Sequence, residues 1–212
     1  MEQGPPPATS APATPSVPSE PTSAPADDHP PLFAKAGPIA PGTYTVDRLG
    51  VPIEITVPAG WSTYSDFNID GVGDSFLAFF DVTGVPTDAC RWEQSRRDPG
   101  PSVDDVVSAM TTQQNSEVTA PQPRDLDGHR GVYLEIQKPA TYDLTMCDEQ
   151  SLIGWFDREA GMIPTVGHGA LNAMWVLDLN GKRGVITWGY YGVPSERTKA
   201  EILGMVQSLS IG

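Results

Sequence analysis

The chain is poor in positive charge, in cysteine and in long apolar runs, and each shortage removes a class of function. Thirteen Lys and Arg stand against 27 Asp and Glu in 212 residues, a net charge of −14. From Pro38 onward, 23 acidic residues face 12 basic ones. That excess repels the phosphates of nucleic acid and the headgroups of anionic lipid. The basic pairs Arg96-Arg97 and Lys182-Arg183 are isolated, with no basic stripe carrying aromatics between its charges, so no nucleic-acid partner is expected. No run of about 18 apolar residues occurs, so direct membrane insertion by this chain is not expected. No dinucleotide fingerprint, Walker motif or nucleophile elbow is present, and no cofactor is expected.

With only two cysteines and three histidines, zinc spacing is missing as well. Cys90 and Cys147 lie in loop-like sequence between expected strands. A disulfide between them is our expectation, worth about 4 kcal/mol on the chain-entropy account. Two buried free thiols, or one reactive thiol, are the alternatives.

What is abundant is proline, and it is concentrated. Residues 1–31 hold ten Pro, five Ala, four Ser and three Thr. Such a segment has too little apolar surface to offset its ordering entropy. Residues 1–37 are therefore expected to be a disordered linker, extended up to about 100 Å at about 3.1 Å per residue. Its Ser and Thr residues are open to O-linked sugars in an exported protein. Residues 38–212 are expected to form one domain. The start, Met-Glu-Gln-Gly-Pro, lacks the basic and apolar regions of a signal peptide. A Pro-rich tail before a two-cysteine domain implies an envelope or secreted location, with an anchor or signal upstream of Met1. A cytosolic protein with a disordered tail is the competing reading.

The fold begins at residues 42–61, GTYTVDRLGVPIEITVPAGW. Tyr44 and Val46, then Ile53, Ile55 and Val57, alternate with polar residues, which reads as two half-buried strands turned at Gly50. Residues 75–82, SFLAFFDV, are apolar on both faces and imply a central strand covered on both sides. Residues 84–100 read as a long loop. Ser102 with Asp105 resembles a capping box, and Val103, Val106, Val107 and Met110 form one helical stripe. Residues 131–138 and 151–157 read as strands. Residues 161–173 read as loop, and Asn180-Gly181 joins a hairpin. Ser195 caps a last helix striped by Ile202, Met205, Val206 and Leu209. The expected fold is α+β: an antiparallel sheet of six to eight strands with two packed helices.

Four groups of residues are candidates for chemistry. Asp66, Asn68, Asp70, Val72 and Asp74 match the first nine positions of a calcium loop, whose alternate oxygens converge on a hard cation. Position 12 is Leu77 rather than a bidentate Glu, and a plain polar loop is the alternative. His129 or His168, with a carboxylate, is what a hydrolase would use. Asp125 with Asp127, and Asp148 with Glu149, are carboxylate pairs that solvated turns explain equally well. Trp188, Tyr190 and Tyr191 would form a ligand face if they lined a concave sheet, and core filling is the alternative.

The segments Thr56 to Trp61, Cys90 to Trp92, Gly100 to Met110, 174–186 and 206–211 resemble secreted or lipid-anchored domains of unknown function from high-GC Gram-positive bacteria. The resemblance spans about residues 40–212. The order of elements also resembles the PsbP-like α/β/α sandwich. The resemblance implies a sheet with helices on it and a role in binding or assembly, and it supplies no catalytic residues. A non-enzymatic extracytoplasmic binding or accessory domain, with a protein, peptide or envelope ligand, is the function expected.

Overall fold

The computed structural model describes residues 1, 4, 29–71, 74–139, 142–165 and 171–212. In chain order they form ten strands of four residues or more: β1 (Gly42–Val46), β2 (Ile53–Val57), β3 (Asn68–Gly71), β4 (Ser75–Phe80), β5 (Val82–Pro86), β6 (Gly131–Gln137), β7 (Ile153–Asp157), β8 (Gly161–Pro164), β9 (Leu171–Leu179) and β10 (Lys182–Tyr190). The α-helices are α1 (Trp92–Ser95), α2 (Val103–Thr111) and α3 (Glu196–Gln207). Strands β3, β4, β10, β9 and β6 run antiparallel in that order and form the body of a nine-stranded sheet whose remaining strands are two residues long. Strands β8, β7 and β5 with Arg96–Arg97 make a four-stranded sheet, and β1 and β2 with Ser210–Ile211 a three-stranded one.

Period-two alternation decides what each face of the central sheet covers. Leu77, Phe79, Trp175 and Ile186 point into a first core, where α3 lays Ile202, Met205 and Val206 against Ile53 and Ile55 of β2. Ala78, Phe80, Met174 and Val185 point into a second core, closed by Val106 and Met110 of α2 and by Trp155 of β7. A helix therefore lies on each face of the sheet, and the fold is α+β as the pattern of elements predicts. The Ser102–Asp105 capping box forms, with both reciprocal bonds made. Asn180 and Gly181 both take positive φ, 58° and 83°, as the tight hairpin between β9 and β10 requires.

Several boundaries differ from the expectation, each for a tertiary reason. The linker was placed at residues 1–37, yet the chain joins the fold near residue 30. Leu32 is buried, its N–H donates to the Thr45 carbonyl at 2.8 Å, and Phe33 packs edge-on against Phe79. They are the first large apolar side chains after the tail. Residues 2, 3 and 5–28 of the linker lie outside the described residues. The opening hairpin leaves the central sheet and builds its own, because α3 needs the apolar face of β2. The apolar run 75–82 is two strands, broken at Asp81, with β4 in the central sheet and β5 in the four-stranded one. The expected loop 84–100 contains the end of β5, helix α1 and Arg96–Arg97, and the expected loop 161–173 contains β8 and the start of β9.

Cys90 and Cys147 form a disulfide, with Cα atoms 4.6 Å apart. It sits in a small apolar cluster with Ala89 and Leu152. The Trp92 indole stands with Ile153 and Phe156, and its N–H donates to the carbonyl of Asp148, the residue after Cys147, at 3.2 Å.

Candidate functional site

The second face of the central sheet is not closed along its whole length. Between β3 and β8 it opens into a cleft of about 630 Å³. Its floor is Asn68 and Asp70 of β3, Phe76, Ala78 and Phe80 of β4, Asn172 of β9 and Thr187 of β10. The register makes this one surface: Asn68 stands opposite Ala78, Ala78 opposite Thr187, and Thr187 opposite Met174, two residues from Asn172 on the same face. Trp155 of β7 and the β8 residues Met162, Ile163 and Pro164, with Thr165, form the far wall.

Several residues that line the cleft carry buried polar atoms without partners in the protein. Among the described residues eight buried side-chain nitrogens or oxygens lack a hydrogen-bond partner. Four belong to residues that line this cleft: Trp155 Nε1, Thr165 Oγ1, Asn172 Oδ1 and Thr187 Oγ1. The remaining four are the indole nitrogens of Trp61, Trp175 and Trp188 and the Nε of Arg183. An unpaired buried polar atom costs about 1–3 kcal/mol, so a cluster of them in a cavity needs a reason other than folding. The rim is apolar where water would be expected to favour polarity. Tyr64 (78% exposed), Tyr191 (57%) and Met162 (43%) all stand at it, three of the seven large hydrophobic side chains exposed among the described residues.

Asp70 supplies the charge. Ser65 Oγ donates to Asn68 Oδ1 at 2.5 Å, and Asn68 Nδ2 donates to Asp70 Oδ1 at 3.1 Å. Asp70 has no ion-pair partner among the described residues. Burial pushes its carboxyl pKa above the ordinary value, and the bond from Asn68 pulls only partly the other way. Partial burial, then the charge on Asp70, likewise raises the Tyr191 phenol, which stays neutral at pH 7.

A carboxyl whose pKa is raised on folding holds its proton more tightly in the folded state. It subtracts from stability above its folded pKa, and the loss disappears as pH falls through that pKa. Asp70→Asn is therefore expected to raise the thermal midpoint at pH 7, through a gain in unfolding free energy of less than about 1 kcal/mol because the group is half in water. The gain over the wild type should shrink as the pH is lowered. A lower midpoint in the variant would mean that the carboxylate is paired and stabilising.

The other sequence-predicted sites fare differently. The calcium loop is not formed: Asn68–Gly71 is a strand paired with β4, so Asn68 and Asp70 project side by side from a sheet face instead of around a tight turn. Asp66 turns to Arg48 at 3.8 Å, Asp74 takes φ 56° in the turn, and Val72 lies outside the described residues. No three His, Cys, Asp or Glu side chains are grouped to hold a metal ion among the described residues. The ligand face splits, because Trp188 and Tyr190 point to the first core while Tyr191 stands at the cleft rim. His129 is half-buried, and its ring nitrogens lie 3.4 and 3.2 Å from the carbonyl oxygens of Asp178 and Ile211, with no carboxylate paired to it among the described residues. His168 lies outside the described residues. Asp127 accepts from the Ile211 N–H at 2.6 Å, and Asp148 from the Glu93 N–H at 3.1 Å, so both serve structural bonds.

Two further depressions, of about 660 and 810 Å³, meet at Pro101 and residues 181–183. Both signs of charge line them, and the guanidinium of Arg183 is occupied by the carbonyls of Gly100 and Val82. Arg183 Nε is the one unpaired buried polar atom among their lining residues, against four such atoms among those of the cleft.

Fold and site together define an α+β domain with a ligand-sized, aromatic-rimmed cleft on its sheet. No family model matches the chain, and no curated protein matches it. Among solved structures it is similar to the solution structure of cyanobacterial PsbP (CyanoP) from Synechocystis sp. PCC 6803, at 17% identity and a TM-score of 0.41, over 82% of this chain and 94% of that one. The α+β class stands on the observed sheets and helices, and what the cleft does follows from its own side chains.

Proposed function

We propose that this domain is a non-enzymatic binding module that works outside the cytoplasm and holds a small amphipathic organic ligand in the cleft between β3 and β8. The observation that carries the reading is a cavity of about 630 Å³ with aromatic walls, four of whose lining residues hold an unpaired buried polar atom. Pockets for small organic ligands are of this size and this composition, mostly apolar with a few fixed polar groups. The location is supported by the Cys90–Cys147 disulfide, which persists in oxidising compartments, and by the Pro-rich tail. A hydrolase using His129 gains no support from a ring held by two backbone carbonyls.

The test is a fluorescence titration with N-phenyl-1-naphthylamine, a neutral aromatic probe that brightens in apolar surroundings. One saturable site is expected. Ala78→Leu, which places extra bulk on the cleft floor, should weaken it about tenfold or more, a loss of about 1.4 kcal/mol, with the far-ultraviolet circular dichroism unchanged. No saturable signal, or one indifferent to Ala78→Leu, would overturn the proposal.

A further inference from the structure

Resting on that reading of the cleft, we infer that its ligand is an organic cation, an amine or quaternary ammonium group on an apolar body, whose charge sits at Asp70 between the rings of Tyr64 and Tyr191. Charge complementarity selects the class. Among the described residues the only charged side chains lining the cleft are Asp70 and Asp74, and both are acidic. An anionic ligand would meet two like charges and, among the described residues, no cation. A neutral one would leave Asp70 half-buried without a counter-charge.

The aromatic rim fits the same class. A cation is attracted to the negative face of an aromatic ring, and the attraction grows as water is excluded. Tyr64 and Tyr191 offer exposed rings at the cleft mouth, and Tyr191 is fixed there by packing on Phe76, with ring centres 5.0 Å apart. A bare metal ion is a poor fit, since Asp70 and Asp74 have no third His, Cys, Asp or Glu side chain grouped with them among the described residues. The unpaired Trp155 N–H, deeper in the cleft, is a donor and asks for an acceptor oxygen on the ligand body. The hydroxyls of Thr165 and Thr187 accept or donate as needed. The folded part, with 23 acidic and 12 basic residues from Pro38 onward, draws cations towards it.

Two esters that differ only in charge separate the possibilities: benzoylcholine, and 3,3-dimethylbutyl benzoate, in which carbon replaces the quaternary nitrogen. Both are titrated calorimetrically against the full chain and against Asp70→Asn. Benzoylcholine is expected to bind at least about tenfold more tightly than its neutral counterpart, an advantage lost in Asp70→Asn, while the neutral ester is unaffected by the substitution. Equal affinities for the two esters in the wild type would overturn the cation inference and leave the cleft as a site for neutral ligands. That comparison needs no variant. Binding of neither ester, together with no response to N-phenyl-1-naphthylamine, would overturn the cleft reading itself.

Discussion

Asp157→Ala is expected to lower the unfolding free energy by about 3–5 kcal/mol, the cost of leaving a buried ion without its partner. The Asp157 side chain is fully buried and that of Arg48 is 7% exposed. The carboxylate accepts from Arg48 Nη2 and from the backbone N–H groups of Asp81 at 2.7 Å, Glu159 at 2.9 Å and Ala160 at 2.8 Å. Arg48 also donates to the Phe79 carbonyl at 2.9 Å and to Glu159 at 2.5 Å. One ion pair thus ties the β1–β2 turn to the break between β4 and β5 and to the turn after β7. Removing the carboxylate leaves three N–H donors without their acceptor and takes from Arg48 its one fully buried counter-charge, with only the exposed Glu159 and Asp66 remaining. Urea unfolding measures the loss. Arg48→Ala should cost a similar amount, and the double variant much less than the sum, because both act on one interaction. A loss below about 1 kcal/mol for Asp157→Ala would mean that water reaches the pair.

Replacing Cys90 and Cys147 together by alanine is expected to cost about 4 kcal/mol, less any strain that the bridge carries. The residues are 57 apart in sequence, and the bridge stabilises chiefly by restricting the unfolded chain. Folded-state contacts near the bridge persist without it. Asp148 N–H donates to the Cys90 carbonyl at 2.9 Å and Ile153 N–H to that of Ala89 at 3.0 Å. The variant should therefore keep its near-ultraviolet circular dichroism while its denaturant midpoint falls. A midpoint equal to that of the oxidised wild type would show that the bridge contributes nothing.

Much of this architecture is legible in the sequence because it is local. The Asn180-Gly181 turn, the Ser102 cap and the α3 stripe each depend on residues within a few positions of one another. The break at Asp81 is different. Its N–H is held by Asp157, 76 residues away, and nothing within the run 75–82 announces it. Leu32 and Phe33 look like the end of a tail until Thr45 and Phe79 are placed beside them.

The candidate site was half visible. Asp70 and Asn68 draw notice as oxygen ligands, but their chemistry depends on whether the backbone turns or runs straight, and it runs straight. Thr165, Asn172 and Thr187 are ordinary residues singly. A clue was present in the period: Thr187 and Asn172 occupy inward positions in register with Val185, Met174 and Val176, where a core strand carries apolar side chains. Polar residues at buried register positions are the trace such a cleft leaves in a sequence, readable once the sheet face is known.

The most direct measurement uses the five tryptophans as reporters. Their indole N–H resonances are followed in uniformly 15N-labelled protein as N-phenyl-1-naphthylamine is added. The Trp155 resonance should shift and saturate with the fluorescence titration, while those of Trp61, Trp175 and Trp188, on the opposite face of the sheet, hold their positions. A Trp155 resonance that stays fixed at saturating probe would contradict the assignment of this cleft as the binding site.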